Sequence, residues 1–343
     1  LKNHYLILLL LFPISVFSQI DFSGGNLKSA FDQANNTGKP LFIMIHADGC
    51  PHCEHFLKTF SSNSKIGDFY NTTFVNYSLE VNSEDGMAFR RNMKLNVMST
   101  PLLTFWSADS TLLAIYPAGD AQNNEASILN FATRALDNQT SWPGQQQAFR
   151  AGYRQPDFLV NLAYLARYVS DESLNLEAMR AYGSLPETEN RKDDGFLVLQ
   201  KVIIDDEHPL FLQILNNRED YYSKYGAEEV NRALENVIMW SLYSERAEKF
   251  SLSKLKFMQA ALKSVGIDEM SITGRFFLAE TAYYFKNAMP RQAIDMLAAY
   301  CKKREKMEQE EITFLKKYYE EHITDTALIN EATTILDKTT KTE

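Results

Sequence analysis

Three cysteines in 343 residues are too few for a framework of disulfide staples. Positive charge is also short. There are 35 Lys and Arg against 44 Asp and Glu, a formal charge of −9, so the electrostatic footprint of a nucleic-acid binder is missing. An acidic balance of this size favours solubility and selects no particular partner. Long apolar runs are scarce as well. The stretch from Tyr5 to Phe17 falls short of the ~20 residues that a bilayer-spanning helix needs. Preceded by Lys2 and closed by Val16-Phe17-Ser18, it reads as a secretory signal segment, residues 1–18, cut after Ser18. No cysteine follows the cut, which argues against a lipid anchor. The mature chain is therefore expected in the periplasm or outside the cell, with no stable membrane span after cleavage.

Against that background, Cys50-Pro51-His52-Cys53 stands out. It follows Leu41-Phe42-Ile43-Met44-Ile45, a continuous apolar run suited to a buried parallel strand. After the turn His46-Ala47-Asp48-Gly49, the residues Phe56, Leu57 and Phe60 mark one face of a helix. Cys50 then sits at the helix N-terminus, where unsatisfied N–H groups and the macrodipole favour a thiolate. A thiol of ordinary pKa, about 8.5, is lowered by one to several units in such a setting. Cys53, three residues on, faces the same side and can close a disulfide. His52 lies in the first turn and is expected to donate to the Cys50 sulfur. The bland alternative is a static disulfide. A zinc half-site using His52 or His55 needs four ligands, and with no second CxxC or His pair no metal is expected. No cofactor is implied either. Cys301 shares a helical face with Ile294, Leu297 and Ala298 and reads as an inert core thiol.

Around the motif, residues 20–138 read as one α/β domain. Asn26–Gln33 is a short amphipathic helix. Phe74–Leu79 alternates as a strand, Glu84–Met93 is helical, and Pro101 precedes the strand Leu102–Trp106. Ala108-Asp109-Ser110 turns into Thr111–Tyr116, and a helix covers Asn124–Leu136. A βαβ unit, a hairpin and a helix in that order give a mixed central sheet with helices on both faces. Trp142-Pro143-Gly144 and the glutamines that follow suggest a linker over 139–150. Residues 151–343 read as an all-α domain with one repeat-like helical hairpin. In its last third, Ala279, Ala282 and Tyr283 are placed to pack on Ala293, Ile294 and Leu297, but no clean period near 34 residues recurs.

A strand, CxxC at a helix start, and Thr100-Pro101 ahead of a hairpin together resemble the thioredoxin superfamily over roughly Ile20 to Asn138. The resemblance implies a cis proline at Pro101 beside the sulfurs. It also implies a Thr100 backbone that pairs with an extended substrate chain, with Pro101 keeping metals off the thiols. The implied chemistry is thiol–disulfide exchange with cysteine-containing protein substrates and a redox partner protein. Cys-Pro-His-Cys also occurs in DsbA-type oxidases. Their helical insertion is missing here, since the helices follow the domain instead. The arrangement is closer to exported thioredoxin-like proteins with a helical extension. The family's buried acid on the first strand is replaced by Met44, which removes a proton relay for Cys53. The direction, oxidase or reductase, stays open. The competing reading is a redox-responsive interaction protein whose helical domain binds a partner.

Overall fold

The computed structural model describes residues 19–186, 195–304 and 307–339. The expected signal segment, residues 1–18, lies outside the described residues. The chain divides into two compact units between Leu174 and Asn175. Among the described residues there are four strands in one sheet and 17 α-helices, and no helix is long and apolar enough to cross a membrane.

The first unit is a mixed sheet of order β2-β1-β3-β4. β1 (Leu41–His46) runs parallel to β2 (Val75–Glu80) and antiparallel to β3 (Leu102–Trp106), which pairs antiparallel with β4 (Leu112–Pro117). A central strand covered on both faces must be apolar at every position, and Leu41 to Ile45 are all fully buried. Their side chains alternate between two cores. Phe42 and Met44, with Leu103 and Phe105 of β3, face the cluster made by α2 (Pro51–Ser62), α3 (Ser64–Thr73) and α5 (Glu125–Leu136). On the other face, Trp106 receives Phe31 from α1 (Leu27–Thr37) and Phe89 from α4 (Glu84–Asn92). The polar atoms among these groups are paired. Trp106 Nε1 donates to Thr104 Oγ1 at 2.9 Å, and the Tyr70 hydroxyl donates to the Ile128 carbonyl at 2.9 Å, tying α3 to α5.

The stretch 139–150, expected as a linker, is largely a helix, and the first unit extends well beyond residue 138. Ser141 caps α6 (Trp142–Arg150), with Pro143 in the first turn where a missing N–H costs nothing. Trp142 and Gln145 are buried. The Gln145 amide donates to the Thr140 carbonyl at 3.0 Å and its oxygen accepts from Asn161 at 3.2 Å. A polar glutamine run is thus partly an interior one, because its amide is satisfied. Gly144 lies so close to the carbonyls of residues 138 and 139 that a Cβ would meet backbone, 2.7 Å from the Gln139 oxygen. α7 (Pro156–Tyr168) also belongs to this unit. The Tyr168 carbonyl accepts from the Asn96 N–H at 2.8 Å, and its hydroxyl lies 2.9 Å from Ser99 Oγ.

The second unit is all-helical over its described residues. The helix Ala227–Leu242 ends at the cap Tyr243 and is followed by a 3₁₀ turn, Glu245–Lys249. Glu269–Lys286 and Pro290–Lys302 form the expected hairpin, but on a different face from the predicted one. Phe277 stacks on Tyr300 at 4.0 Å, and Phe277, Tyr284 and Phe285 join Ala293, Ile294 and Leu297 in the core. Ala282 is exposed, and Leu278, Ala279 and Tyr283 instead line an apolar groove with Tyr243, Phe250 and Phe314. The large rings, not the small residues, set the packing face. Tyr319 closes this core by donating to the Ala293 carbonyl at 2.9 Å.

Phe42 is the hub of the aromatic cluster, with ring centroids 4.8 Å from Tyr70 and 5.1 Å from Phe105. Truncating a buried Phe typically costs about 3–5 kcal/mol. Phe42→Ala is expected to lower the urea midpoint of the first unit accordingly. The measurement is fluorescence of Trp106 and Trp142 in a Trp240→Phe background.

Candidate active site

Gly49, at a φ of +68°, makes the left-handed turn that ends the β1–α2 connection and delivers Cys50 to the N-cap of α2. Pro51 occupies the first turn, pre-set for the helix. Cys50 and Cys53 are joined in a disulfide with their Cα atoms 5.3 Å apart. Their exposure differs in the way exchange chemistry needs. Cys50 is part-exposed, whereas Cys53 is 2 % exposed and packs into the core with Met44 and Phe56. The Cys53 backbone N–H donates to the Cys50 sulfur at 3.2 Å. An N–H aimed at a sulfur stabilises charge there, as helix-start geometry predicts.

A second wall comes from the two residues that lead into β3. The Thr100–Pro101 bond is cis, as the resemblance implied. Thr100 Oγ1 donates to the Cys50 sulfur at 3.4 Å, and the Thr100 carbonyl oxygen lies 3.6 Å from the same sulfur. Pro101 is buried. Thr100 is reached from a loop that α7 braces through the two Tyr168 contacts with Asn96 and Ser99. Met44 is fully buried and apolar, so no carboxylate stands behind Cys53 on that strand.

The structure gives His52 a different neighbour from the one expected. Its Nδ1 lies 2.9 Å from Asp120 Oδ2, while His55 Nδ1 lies 3.1 Å from Asp120 Oδ1. Asp120 opens the 3₁₀ turn Asp120–Gln122 after β4 and is exposed. Hydrogen bonding to His52, and then to His55, holds its carboxyl below the usual aspartate range. The hydrogen bonds described at the Cys50 sulfur come from Thr100 and the Cys53 N–H, and the ring of His52 is engaged by the carboxylate. Sequence reasoning missed Asp120 and Tyr168. Neither belongs to a local motif, and only the folded sheet brings them to the site.

Cys301 is buried and stands 3.9 Å from Met307 Sδ. Burial, reinforced by Glu311, pushes its thiol up to about 11, so it offers little thiolate at neutral pH.

Residues 27–132 match the family profile of a thioredoxin-like domain. Among solved structures, a candidate disulphide-isomerase from Bacteroides thetaiotaomicron aligns at 18% identity over 35% of this chain and 95% of its own, with a TM-score of 0.31. A DsbH oxidoreductase aligns at 16% identity over 37% of this chain and 92% of its own, with a TM-score of 0.30. No curated protein matches the chain. The profile match, the sheet order and the paired cysteines at a helix start mark residues 27–132 as a thioredoxin-like domain with a disulfide-capable CxxC pair.

A hydrogen bond to a charged group contributes about 1.5–3 kcal/mol, and one pKa unit corresponds to about 1.4 kcal/mol. In the reduced protein, Thr100→Ala is expected to raise the Cys50 pKa by about one unit, read from the ultraviolet absorbance of the thiolate against pH. Alkylation of the reduced native chain near neutral pH should label Cys50 and leave Cys301 unmodified until denaturant is added, with peptide mass spectrometry as the readout.

Proposed function

We propose that this chain is an exported thiol–disulfide oxidoreductase that exchanges disulfides with cysteine-containing protein substrates. The observation that carries the reading is the unequal pair at the start of α2. Cys50 is within reach of solvent under two hydrogen-bond donors, and Cys53 is buried directly behind it. In the reducing direction the Cys50 thiolate attacks a substrate disulfide. The new S–S bond forms as the substrate's own bond breaks, and one substrate sulfur leaves as a thiolate. Cys53, deprotonated, then attacks the Cys50 sulfur and expels the second substrate thiolate. Two electrons and two protons pass to the substrate, and the Cys50–Cys53 disulfide is left. Oxidation runs the same bonds in reverse. A redox partner protein restores whichever state has been consumed.

Thr100 and Pro101 form the substrate-facing wall in this reading, Thr100 beside the sulfur under attack and Pro101 fixing the strand start. Export is supported by the pattern of residues 2–18, and it places the pair where disulfides persist. The helical unit supplies partner docking. Its apolar groove, with Tyr243, Leu278 and Phe314 exposed, is the feature that supports this role.

Insulin reduction and reoxidation of a reduced test protein, each with wild type, Cys50→Ser and Cys53→Ser, test the proposal. Wild type should turn over and Cys50→Ser should fall to background. Cys53→Ser should accumulate a mixed disulfide with substrate, visible on a non-reducing gel. Equal background turnover by all three chains would sink the enzyme reading and favour a redox-responsive interaction protein.

A further inference from the structure

Beside the sulfur pair, three further donors converge on one point. His52 and His55 stand three residues apart on the first turns of α2, on one helix face. Asp120 reaches them from the turn after β4 and divides its carboxylate, one oxygen towards each ring, at 2.9 and 3.1 Å from the two Nδ1 atoms. The ligand atoms of all three residues lie within 4.8 Å of one another, and all three side chains are exposed.

We propose that His52, His55 and Asp120 form a binding site for one divalent transition cation of the zinc type, at the rim of the Cys50–Cys53 disulfide. Imidazole nitrogen and carboxylate oxygen are ligands that zinc accepts, at about 2.0–2.2 Å. In a tetrahedron those bond lengths put neighbouring ligand atoms about 3.3 Å apart. Each Nδ1 is already near that separation from one carboxylate oxygen, and the three ligand atoms lie within 4.8 Å, so side-chain rotation is the adjustment required. A neutral imidazole frees Nδ1 by carrying its single proton on Nε2. The carboxylate needs to lose no proton, since an ordinary aspartate, pKa about 3.9, is ionised at neutral pH. Three protein ligands leave a fourth tetrahedral position for water or an incoming donor.

Sequence spacing supplies only two of these donors. The third is 65 residues from His55 and arrives because β4 ends beside α2, so an expectation of no metal drawn from motif counting does not extend to this cluster. The site stands or falls independently of whether the sulfurs turn over.

Calorimetric titration of the full chain with Zn²⁺, its Cys50–Cys53 disulfide closed, provides the test. A closed disulfide offers no thiolate, and Cys301 is buried and protonated, so sulfur does not compete. One equivalent is expected to bind with micromolar affinity, and Co²⁺ should give the visible absorption of a low-coordinate site. Loss of a supporting group alone weakens metal sites 10–100-fold. Asp120→Ala and His55→Ala should therefore each weaken binding by about tenfold or more, while His322→Ala on the second unit leaves it unchanged. Circular dichroism should be unaltered, because the substituted side chains are exposed. No binding at millimolar Zn²⁺, a site that survives either substitution, or equal weakening by His322→Ala would each overturn the proposal.

Discussion

The N–H of Cys53 points at the sulfur of Cys50, and much of the first unit exists to hold that one vector in place. The donor is available because the first N–H groups of a helix have no partner within it. It is aimed because Cys50 occupies the N-cap, and Cys50 occupies the N-cap because β1 ends where it does. β1 cannot slide. A shift of one residue would exchange Phe42 and Met44 for Leu41, Ile43 and Ile45 between two differently shaped cores. Packing of a buried strand thus fixes the electrostatics of an exposed sulfur several residues away.

The same sulfur is held from the opposite side by a segment with a separate origin. Thr100 stands two residues before β3, and the loop leading to it is fastened to α7 by the Tyr168 carbonyl and hydroxyl. This explains why the first compact unit runs past the sheet to residue 174. α6 and α7 are part of the support of the site rather than the start of the helical region. The boundary by contact and the boundary by composition differ because the composition of 139–150 reports side-chain polarity, whereas Gln145 and Gly144 are positioned by hydrogen bonding and close backbone approach.

What could be read from the sequence follows a simple physical division. Cys50, Pro51, His52 and Cys53 are adjacent, and helix-start geometry is local, so their arrangement was legible. The order of strands was legible because β1 and β3 are short apolar runs and the turns carry their own signals. Thr100 and Pro101 were recognisable by resemblance. Asp120 was not, because nothing in Gly119-Asp120-Ala121 distinguishes a surface turn from a ligand. Its meaning arises only when the end of β4 meets the first turn of α2. The same holds for Tyr168, one of 17 tyrosines, whose backbone and hydroxyl both act at a distance of about 70 residues in sequence. In the helical unit, the alanines of Glu269–Lys286 point to a packing face that the fold does not use. The stacking of Phe277 on Tyr300 decides the face instead.

The unequal burial of the two sulfurs also has a kinetic meaning. In the proposed exchange a substrate is joined to this chain through Cys50, and the sulfur that releases it is tethered three residues away. Capture is therefore a second-order event that depends on how much substrate is present, and escape is a first-order one that does not. The joined intermediate then has an intramolecular route of release, set by the spacing of one helical turn and available without an external thiol. A protein built this way can engage partners weakly and briefly without leaving them stranded.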